Sequence, residues 1–344
     1  MCWPGPLVHA AEALEILGGR PLTREESTQT FRRLLGGGYS ELEMAALLVA
    51  LKIRGETPEV MAGVVEALLE SAMPFPRPEY DFADCCGTGG DRTGTVNIST
   101  AAAFVAAEWG IPIAKTGNRS VSSRCGSADL LEQLGVRLDP PPAIARRCLD
   151  ELGICFVFAP QYHAGVRHAA PVRKALGVRT VFNLVGPIAN AARPTWQMMG
   201  IYDPALCEPA ARTLGLLGRR VAFVVHGDGM DEVALHGITR GTLLRDGHFE
   251  PVTISPADAG LEVEPLEQLA GAGPAENAAW LQQLLEGKGR QSHVAAVALN
   301  AGTLGWVLGK APTLRRAVSE ARDVLQGGGA ARRLARLAEA SHRA

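Results

Sequence analysis

The sequence predicts an α/β protein with an N-terminal helical bundle domain and a larger α/β domain built on a mostly parallel central sheet. Residues before Pro74 carry helical patterns only, and Pro74, Pro76 and Pro78 then form a stiff linker. From Tyr80 onward, short apolar runs alternate with helical patterns, which is typical of a parallel sheet covered on both faces. We therefore expect a helical domain at 1–76 and an α/β domain at 77–344.

The N-terminal helices are predicted mainly from their starting residues. Two starts place a carboxylate three residues after a hydroxyl, the spacing of a capping box, and a third places proline at the first helical position. These starts are Thr23 with Glu26, Ser40 with Glu43, and Thr57 with Pro58. An earlier segment, Leu7–Leu17, is apolar at helical spacing and predicts a further helix.

The second part of the chain predicts strands and helices in alternation. After a short strand at Phe82-Ala83, we expect strands at Ile111–Ala114, Cys155–Ala159, Thr180–Asn183, Val221–His226 and Glu232–Leu235. Helices are expected between and after them, at Ala101–Trp109, Ala128–Leu134, Pro142–Leu152, Pro204–Leu217, Ala275–Leu285, Ser292–Val307 and Thr313–Leu325. The segment Thr239–Phe249 predicts a hairpin that turns at Asp246-Gly247.

The composition argues against several function classes. Lys and Arg number 34 against 36 Asp and Glu, so the formal charge of −2 gives no basic excess for nucleic-acid binding. The longest apolar runs are too short for a membrane span, and we see no secretory signal. The seven cysteines form no C-x-x-C pair, which favours reduced thiols in a cytoplasm over zinc or disulfides.

A glycine turn, Gly87 to Asp91, is followed by Asn97 to Thr100 at the start of an alanine-rich helix. The turn is neither a dinucleotide fingerprint nor a Walker A loop, and alone it is equally well an ordinary tight turn. At the helix start, Ser99 and Thr100 could cap the helix or could bind a phosphate or a metal ion carried by the substrate. The glycine turn just upstream favours the phosphate interpretation.

Two further segments carry charge next to predicted strand ends. Lys115 to Ser123 combines cations, hydroxyls and Gly117 where ligands of open α/β sheets usually bind. Asp231 and Glu232 follow a strand and a glycine turn. Adjacent carboxylates are suited to bind Mg²⁺ that is shared with a diphosphate. An isolated pair of carboxylates is, however, more often part of a solvated turn. The guanidinium of Arg173 is a candidate to bind a substrate carboxylate through two hydrogen bonds, although a lone helical arginine is more often structural. Together these segments predict an enzyme whose substrate carries two phosphate groups.

In this order, the segments closely resemble the anthranilate phosphoribosyltransferase family. The matching motifs are GTGGD at 87–91, NIST at 97–100, KTGNRSVSS at 115–123, GSAD at 126–129, FAPQYHAGVRHAAPVR at 158–173, RTVFNLVGP at 179–187 and GMDE at 229–232. The resemblance runs from the N-terminal helices to about residue 300. It implies a helical domain that includes part of 164–190, and a homodimer formed through the helical domains.

The resemblance also implies the reaction and its residues. The phosphoribosyl group of 5-phosphoribosyl 1-diphosphate (PRPP) would pass to the amino group of anthranilate, in tryptophan biosynthesis in the cytoplasm, with Mg²⁺ as cofactor. The implied PRPP-binding residues are Gly87, Gly90, Asp91, Thr95, Asn97, Ile98, Ser99, Thr100, Lys115, Thr116, Gly117, Asn118, Arg119, Ser120, Val121, Ser122, Ser123 and Ser127. Anthranilate would be bound by Gly87, Asn118, Pro160 and Arg173, and Mg²⁺ by Ser99, Asp231 and Glu232. Lys115 would stabilise the leaving diphosphate, and anthranilate synthase is an expected partner.

Two positions depart from the family pattern, and both bear on the acceptor. Thr116 stands where the family has histidine, and Val166 stands where a larger residue is common. A related phosphoribosyltransferase or a nucleoside phosphorylase with another acceptor therefore remains an alternative. A second alternative is a nucleic-acid-binding protein that keeps the fold, against which the charge balance and the intact carboxylate pair argue.

Overall fold

The computed structural model describes residues 18–120 and 124–343. The predicted helix Leu7–Leu17 lies outside the described residues, as do Val121, Ser122 and Ser123. The chain divides into two compact units. The helical unit comprises Met1–Met73 and Pro160–Ala189, and the α/β unit comprises Pro74–Ala159 and Asn190–Ala344.

The elements alternate in the manner that the sequence predicts, and the fold class is confirmed. The α-helices are α1 (Arg24–Leu35), α2 (Glu41–Arg54), α3 (Pro58–Glu70), α4 (Ile98–Glu108), α5 (Ser127–Gln133), α6 (Pro142–Leu152), α7 (Ala159–Tyr162), α8 (Ala170–Leu176), α9 (Val181–Val185), α10 (Cys207–Leu216), α11 (Pro274–Leu285), α12 (Gln291–Val307), α13 (Leu314–Gln326) and α14 (Gly329–Ser341). The strands are β1 (Ala83–Gly87), β2 (Ile113–Gly117), β3 (Ile154–Phe158), β4 (Trp196–Gly200), β5 (Val221–Gly227), β6 (Thr239–Arg245) and β7 (His248–Ile254).

The helix starts of the helical unit follow the capping residues. Thr23 accepts from the backbone N–H of Glu26, whose carboxylate accepts in return from the Thr23 backbone at 2.8 Å. Ser40 and Glu43 make the same reciprocal pair at the start of α2. These bonds satisfy backbone donors that the first turn of a helix otherwise leaves without partners. The predicted capping boxes are confirmed.

The sheet has seven strands in the order β3-β2-β1-β4-β5-β6-β7. Its first five strands run parallel, and the hairpin of β6 and β7 adds two antiparallel strands. Asp246 and Gly247 turn this hairpin with positive φ values of 46° and 85°, which confirms the predicted turn. The chain passes from β1 to β2 and β3 on one side and returns to β4 on the other side. The carboxyl ends of β1 and β4 therefore form a switch point, where open α/β sheets bind ligands.

Two predicted strands are wrong. Thr180–Asn183 begins helix α9, because the Asn183 side chain accepts from the Thr180 backbone N–H at 2.9 Å and caps the helix. Glu232–Leu235 has no strand partner. Its backbone is instead bound by side chains, with the Val233 N–H donating to Asn300 and the Ala234 N–H donating to Thr239.

The boundaries of β2 also correct the sequence analysis. Lys115, Thr116 and Gly117 form the end of this strand, whereas the sequence predicted that they follow it. Lys115 and Thr116 are only 3% and 6% exposed, so the strand continues through two polar residues that ended the apolar run. Within residues 18–120 and 124–343, no helix has both the length and the apolar character needed to cross a membrane.

Candidate active site

The glycine turn after β1 is bonded to the neighbouring strand β4. The Thr88 N–H donates to the Gly200 carbonyl at 3.0 Å, and the Thr88 hydroxyl accepts from the Tyr202 N–H at 3.1 Å. Gly89 and Gly90 follow with positive φ values of 65° and 75°, a conformation that glycine adopts without strain. The turn therefore lies at the switch point with its backbone donors near the carboxyl ends of β1 and β4.

Asp231 lies across these two strand ends. Its Oδ2 accepts from the Gly89 N–H at 2.6 Å. A Cβ atom added to Gly87 would collide with the Asp231 carboxylate, and one added to Gly200 would collide with the Asp231 backbone carbonyl. Gly87 and Gly200 are paired across β1 and β4. Because neither has a side chain, there is space for Asp231 at this point.

Three carboxylates converge at this edge of the sheet. The Asp231 N–H donates to Asp91 at 3.4 Å, and Glu232 follows directly along the chain. Burial, followed by the nearby Asp91 charge, raises the pKa of Asp231 to about 7. Burial, followed by the Asp231 charge, raises the pKa of Glu232 to about 8. Half-buried carboxylates whose charges repel one another in this way favour the binding of a cation.

Helix α4 directs its N-terminus at the same carboxylates. The Ser99 N–H donates to Glu232 Oε1 at 2.9 Å, so the carboxylate satisfies a free donor of the first helical turn. Ile98 and Thr100 are each 1% exposed. Their side chains pack in the core, so only their backbone can serve a ligand. This restricts the predicted NIST site to Ser99, Asn97 and the backbone donors of the helix start.

Asn97 joins two loops of the site. Its Nδ2 donates to the Cys125 carbonyl at 3.0 Å, and its Oδ1 accepts from Asn277 in α11 at 3.2 Å. Asn277 Oδ1 also accepts from the Ala272 N–H at 2.8 Å. Thr95 pairs with Ala270 in an isolated bridge beside this junction. The sequence reasoning missed Asn277, because nothing near it along the chain marks it as part of the site.

The loop after β2 is fixed by an acidic residue at the start of α5. Asp129 Oδ2 accepts from the backbone N–H groups of Ser120 and Gly126, each at 2.9 Å. Arg119 forms a two-bond ion pair with Glu132 at 2.7 and 2.8 Å and a further bond to Asp129, which raises its pKa. Arg119 therefore braces the loop in this structure.

The remaining predicted residues of this loop lie around it. Ser127 is the first residue of α5, and its hydroxyl lies 3.5 Å from the Asn118 carbonyl. The Asn118 side chain accepts from the Arg119 N–H at 2.7 Å. At Gly117, an added Cβ would collide with the Ser127 hydroxyl and the Phe156 ring. The structure therefore brings Gly117, Asn118 and Ser127 together.

Lys115 lies in a buried polar network beneath the glycine turn. Its ammonium donates to the Cys85 carbonyl at 2.6 Å. Asp84, which is fully buried, accepts from the Thr116 N–H at 3.1 Å and from Asn190 at 2.8 Å. Burial raises the Asp84 pKa, and the Lys115 charge opposes that rise. The sequence reasoning missed Asp84, although an aspartate inside the apolar run of β1 was a signal for it.

The cysteines near the site are not suited to nucleophilic chemistry. Burial raises the pKa of the Cys85 thiol to about 12 and that of the Cys125 thiol to about 11. At neutral pH both stay protonated, and the thiol is a poor nucleophile compared with the thiolate.

The remaining predicted residues belong to the segment 159–176. Pro160 lies in the short helix α7, Val166 in the 3₁₀ turn Ala164–His168, and Arg173 in α8. Burial lowers the Arg173 pKa, and its guanidinium lies 5.3 Å from the centre of the Phe182 ring. No carboxylate among the described residues pairs with Arg173. An unpaired, half-buried guanidinium is suited to a carboxylate that arrives with a ligand.

Comparison with known proteins gives consistent matches. The helical bundle domain of a glycosyl transferase family matches residues 14–72, and the a/b domain of that family matches residues 79–331. The anthranilate phosphoribosyltransferase of Sorangium cellulosum is 58% identical over 93% of this chain and 92% of its own length. That of Aeromonas hydrophila is 52% identical over 94% of this chain and 95% of its own length.

Solved structures agree with these relatives. The crystal structure of anthranilate phosphoribosyltransferase from Thermus thermophilus is 42% identical, with a TM-score of 0.91 over 96% of this chain and 99% of that one. The enzyme from Saccharomyces cerevisiae in complex with PRPP and Mg is 25% identical, with a TM-score of 0.89 over 98% of both chains.

Proposed function

We propose that this chain, which belongs to the anthranilate phosphoribosyltransferase family, transfers the phosphoribosyl group of PRPP to the amino group of anthranilate. The products are N-(5-phosphoribosyl)anthranilate and diphosphate, and the reaction serves tryptophan biosynthesis. The observation that carries the proposal is the half-buried pair Asp231 and Glu232, anchored to the Gly89 N–H and to the start of α4 at the switch point. It supports a binding site for a cation-bearing diphosphate next to the backbone donors of the glycine turn and of α4.

The residues at this edge fit Mg²⁺ carried by the donor. Asp231, Glu232 and Ser99 would hold the ion, since a cation relieves the repulsion between half-buried carboxylates with raised pKa values. No three His, Cys, Asp or Glu side chains of the described residues form a complete metal site. Diphosphate and water oxygens would therefore supply the remaining ligands, as Mg²⁺ prefers. When bound, the ion supplies charge neutralisation to the leaving diphosphate.

The chain's own groups account for most of the donor chemistry. Breaking the bond from the anomeric carbon to diphosphate builds positive charge on the ribose and negative charge on the leaving group. Backbone donors of the glycine turn and of α4, together with the Lys115 ammonium, stabilise the negative charge. The amino group of anthranilate attacks directly, so the main demand on the acceptor site is alignment. The protonated thiols nearby agree with a reaction without a covalent intermediate.

For the acceptor, we propose Asn118, Arg173, Pro160 and Gly87 as binding residues. Arg173 carries the argument, because its guanidinium has no carboxylate partner among the described residues and anthranilate has a carboxylate. Thr116 and Val166 differ from the family pattern on the acceptor side. Because of that difference, we retain a second candidate function, that of a related phosphoribosyltransferase or nucleoside phosphorylase with another acceptor.

We also propose a homodimer that functions in the cytoplasm, with anthranilate synthase as a partner. On α2, Leu42 and Ile53 are 81% and 71% exposed. Large apolar side chains this exposed support a protein contact through the helical domain, which we place at residues 1–76 with part of 164–190. Light scattering of the wild type and of Leu42→Asp tests the dimer. We expect a dimer that the aspartate weakens, and a monomeric wild type would contradict it.

The function is tested by the loss of anthranilate fluorescence on mixing the chain with PRPP and Mg²⁺. We expect a loss that requires both. Wild-type protein that consumes PRPP only with a different aromatic amine, or that cleaves a nucleoside with phosphate, would instead support the second candidate.

A further inference from the structure

The acidic segment 230–235 is not part of a strand. Met230 pairs with Gly227 at the end of β5, and the position of the residues after it depends on a few bonds to other parts of the α/β unit. The Asp231 carboxylate is anchored by the Gly89 N–H, and the Glu232 carboxylate by the Ser99 N–H. A third anchor binds the backbone of the next residue, Val233. This third anchor is a side chain of helix α12.

The third anchor is Asn300, which is fully buried in α12. Its Oδ1 accepts from the Val233 N–H at 2.9 Å, and its Nδ2 donates to the Val233 carbonyl at 3.0 Å. Nδ2 also donates to the Ala296 carbonyl, one helical turn earlier, at 3.0 Å. The Asn300 amide therefore bonds to the Val233 backbone in the way that a neighbouring strand would. The same amide is also bonded to its own helix.

We propose that Asn300 is a positioning residue that holds Asp231 and Glu232 in place while they bind the cation of the donor. This inference rests on the proposed function. The other two anchors use the carboxylate oxygens themselves, which a cation would take over as ligands. The bonds from Asn300 use only the Val233 backbone, so they persist when the carboxylates change partners.

The chemistry of the side chain explains why asparagine is needed. Only an amide presents a donor and an acceptor side by side at this length, which matches the N–H and carbonyl of one residue. Aspartate would leave the Val233 carbonyl without a donor, and an apolar residue would leave two buried backbone groups unpaired. Outer partners that orient metal ligands commonly change metal affinity by about 10–100-fold when they are removed.

The test uses Mn²⁺ as the probe, with its binding measured by electron paramagnetic resonance in the presence of PRPP. In Asn300→Thr, the hydroxyl can still bond to the Ala296 carbonyl, as Thr303 bonds to Leu299 in the same helix at 2.7 Å, but the bonds to Val233 are lost. We expect the Mn²⁺ dissociation constant to rise about 10–100-fold in Asn300→Thr and in Asn300→Ala. The KM for anthranilate at saturating Mn²⁺ and PRPP should not change.

Thr303→Val is the matched control, because it removes a buried hydrogen bond from the same helix without touching Val233. Unchanged Mn²⁺ binding in both Asn300 variants, or an equal loss in the control, would overturn the proposal.

A measurement on the wild type does not depend on any variant folding. Amide exchange at Val233 should stay slow when Mn²⁺ and PRPP are added, while exchange at Gly89 or Ser99 changes. Loss of protection at Val233 would also refute the role of Asn300. A wild type that binds no Mn²⁺ with PRPP would refute the proposed function itself.

Discussion

Replacing Gly200 with alanine adds one methyl group at the point where Asp231 crosses the sheet. The new Cβ would lie only 3.0 Å from the Asp231 Cα and closer still to its carbonyl group. The Asp231 carbonyl carbon would lie 2.2 Å from the new Cβ. Carbon atoms pack best at about 3.5–4.0 Å, so the acidic segment must move by roughly 1.3–1.8 Å or the strand end must yield. Neither group is the end of a flexible side chain, so the strain cannot be relieved by a rotamer change.

The magnitude follows from this displacement. A misplacement of about 1 Å in a catalytic arrangement can cost about 100-fold in rate, which corresponds to about 2.7 kcal/mol in the activation free energy. Overpacking itself costs about 1–3 kcal/mol of folding free energy. We therefore expect Gly200→Ala to fold with a lowered Tm and to lose at least about 100-fold in kcat/KM for PRPP.

Initial rates from anthranilate fluorescence, with thermal unfolding measured on the same samples, check this prediction. Gly327→Ala is the control. It adds the same methyl group at the end of α13, where the nearest atom lies 3.4 Å away and φ is −67°. A Gly200→Ala enzyme that is folded and keeps wild-type kcat/KM would refute the assigned position of Asp231.

Three further predictions concern the cation, the donor and the acceptor. Burial raises the pKa of Asp231 from 3.8 to about 7 and that of Glu232 from 4.5 to about 8. The metal-free protein should therefore lose stability as pH rises from about 4 to about 8 and level off above that, whereas Mn²⁺ binding with PRPP should strengthen as pH rises through 7 to 8. Asp231→Asn should flatten both profiles, which thermal unfolding and a Mn²⁺ titration measure. Asn277→Ala breaks the junction at Asn97 and should raise the KM for PRPP in steady-state kinetics but not the KM for anthranilate. Gln282→Ala, a half-exposed residue of the same helix, should change neither KM. An unchanged PRPP KM in Asn277→Ala would contradict the role of the junction. Thr116→His should lower the KM for anthranilate, whereas Thr116→Val should not change that KM. An unchanged anthranilate KM in Thr116→His would count against an acceptor role for position 116.

Features that depend on neighbours along the chain were predictable from the sequence. The capping pairs Thr23 with Glu26 and Ser40 with Glu43 form within one helical turn, and a turn such as Asp246-Gly247 needs only its own residues. The motif segments that predicted the site also lie next to the strand ends and the helix start that position them. The local sequence was therefore enough for the fold class and for the placement of the motif segments at these strand ends.

Features that depend on distant partners were missed or misassigned. Strand β4 was missed because Gln197 interrupts its apolar pattern, and that side chain is buried against Arg219 and the Cys86 thiol. Asn300 lies 67 residues after the backbone that it binds, so no local pattern marks it. The strand predicted at Glu232–Leu235 was wrong for the same reason, since side chains supply the bonds that a neighbouring strand usually makes.

The proposed function is tested most directly by the amount of diphosphate released per anthranilate consumed, measured for the wild type and for the Asp231→Asn, Glu232→Gln double variant with PRPP and Mg²⁺. We expect one diphosphate per anthranilate in the wild type, and a double variant at least about 100-fold slower because it cannot hold the cation. A wild type that consumes no anthranilate, or a double variant that keeps the wild-type rate, would contradict the proposed function.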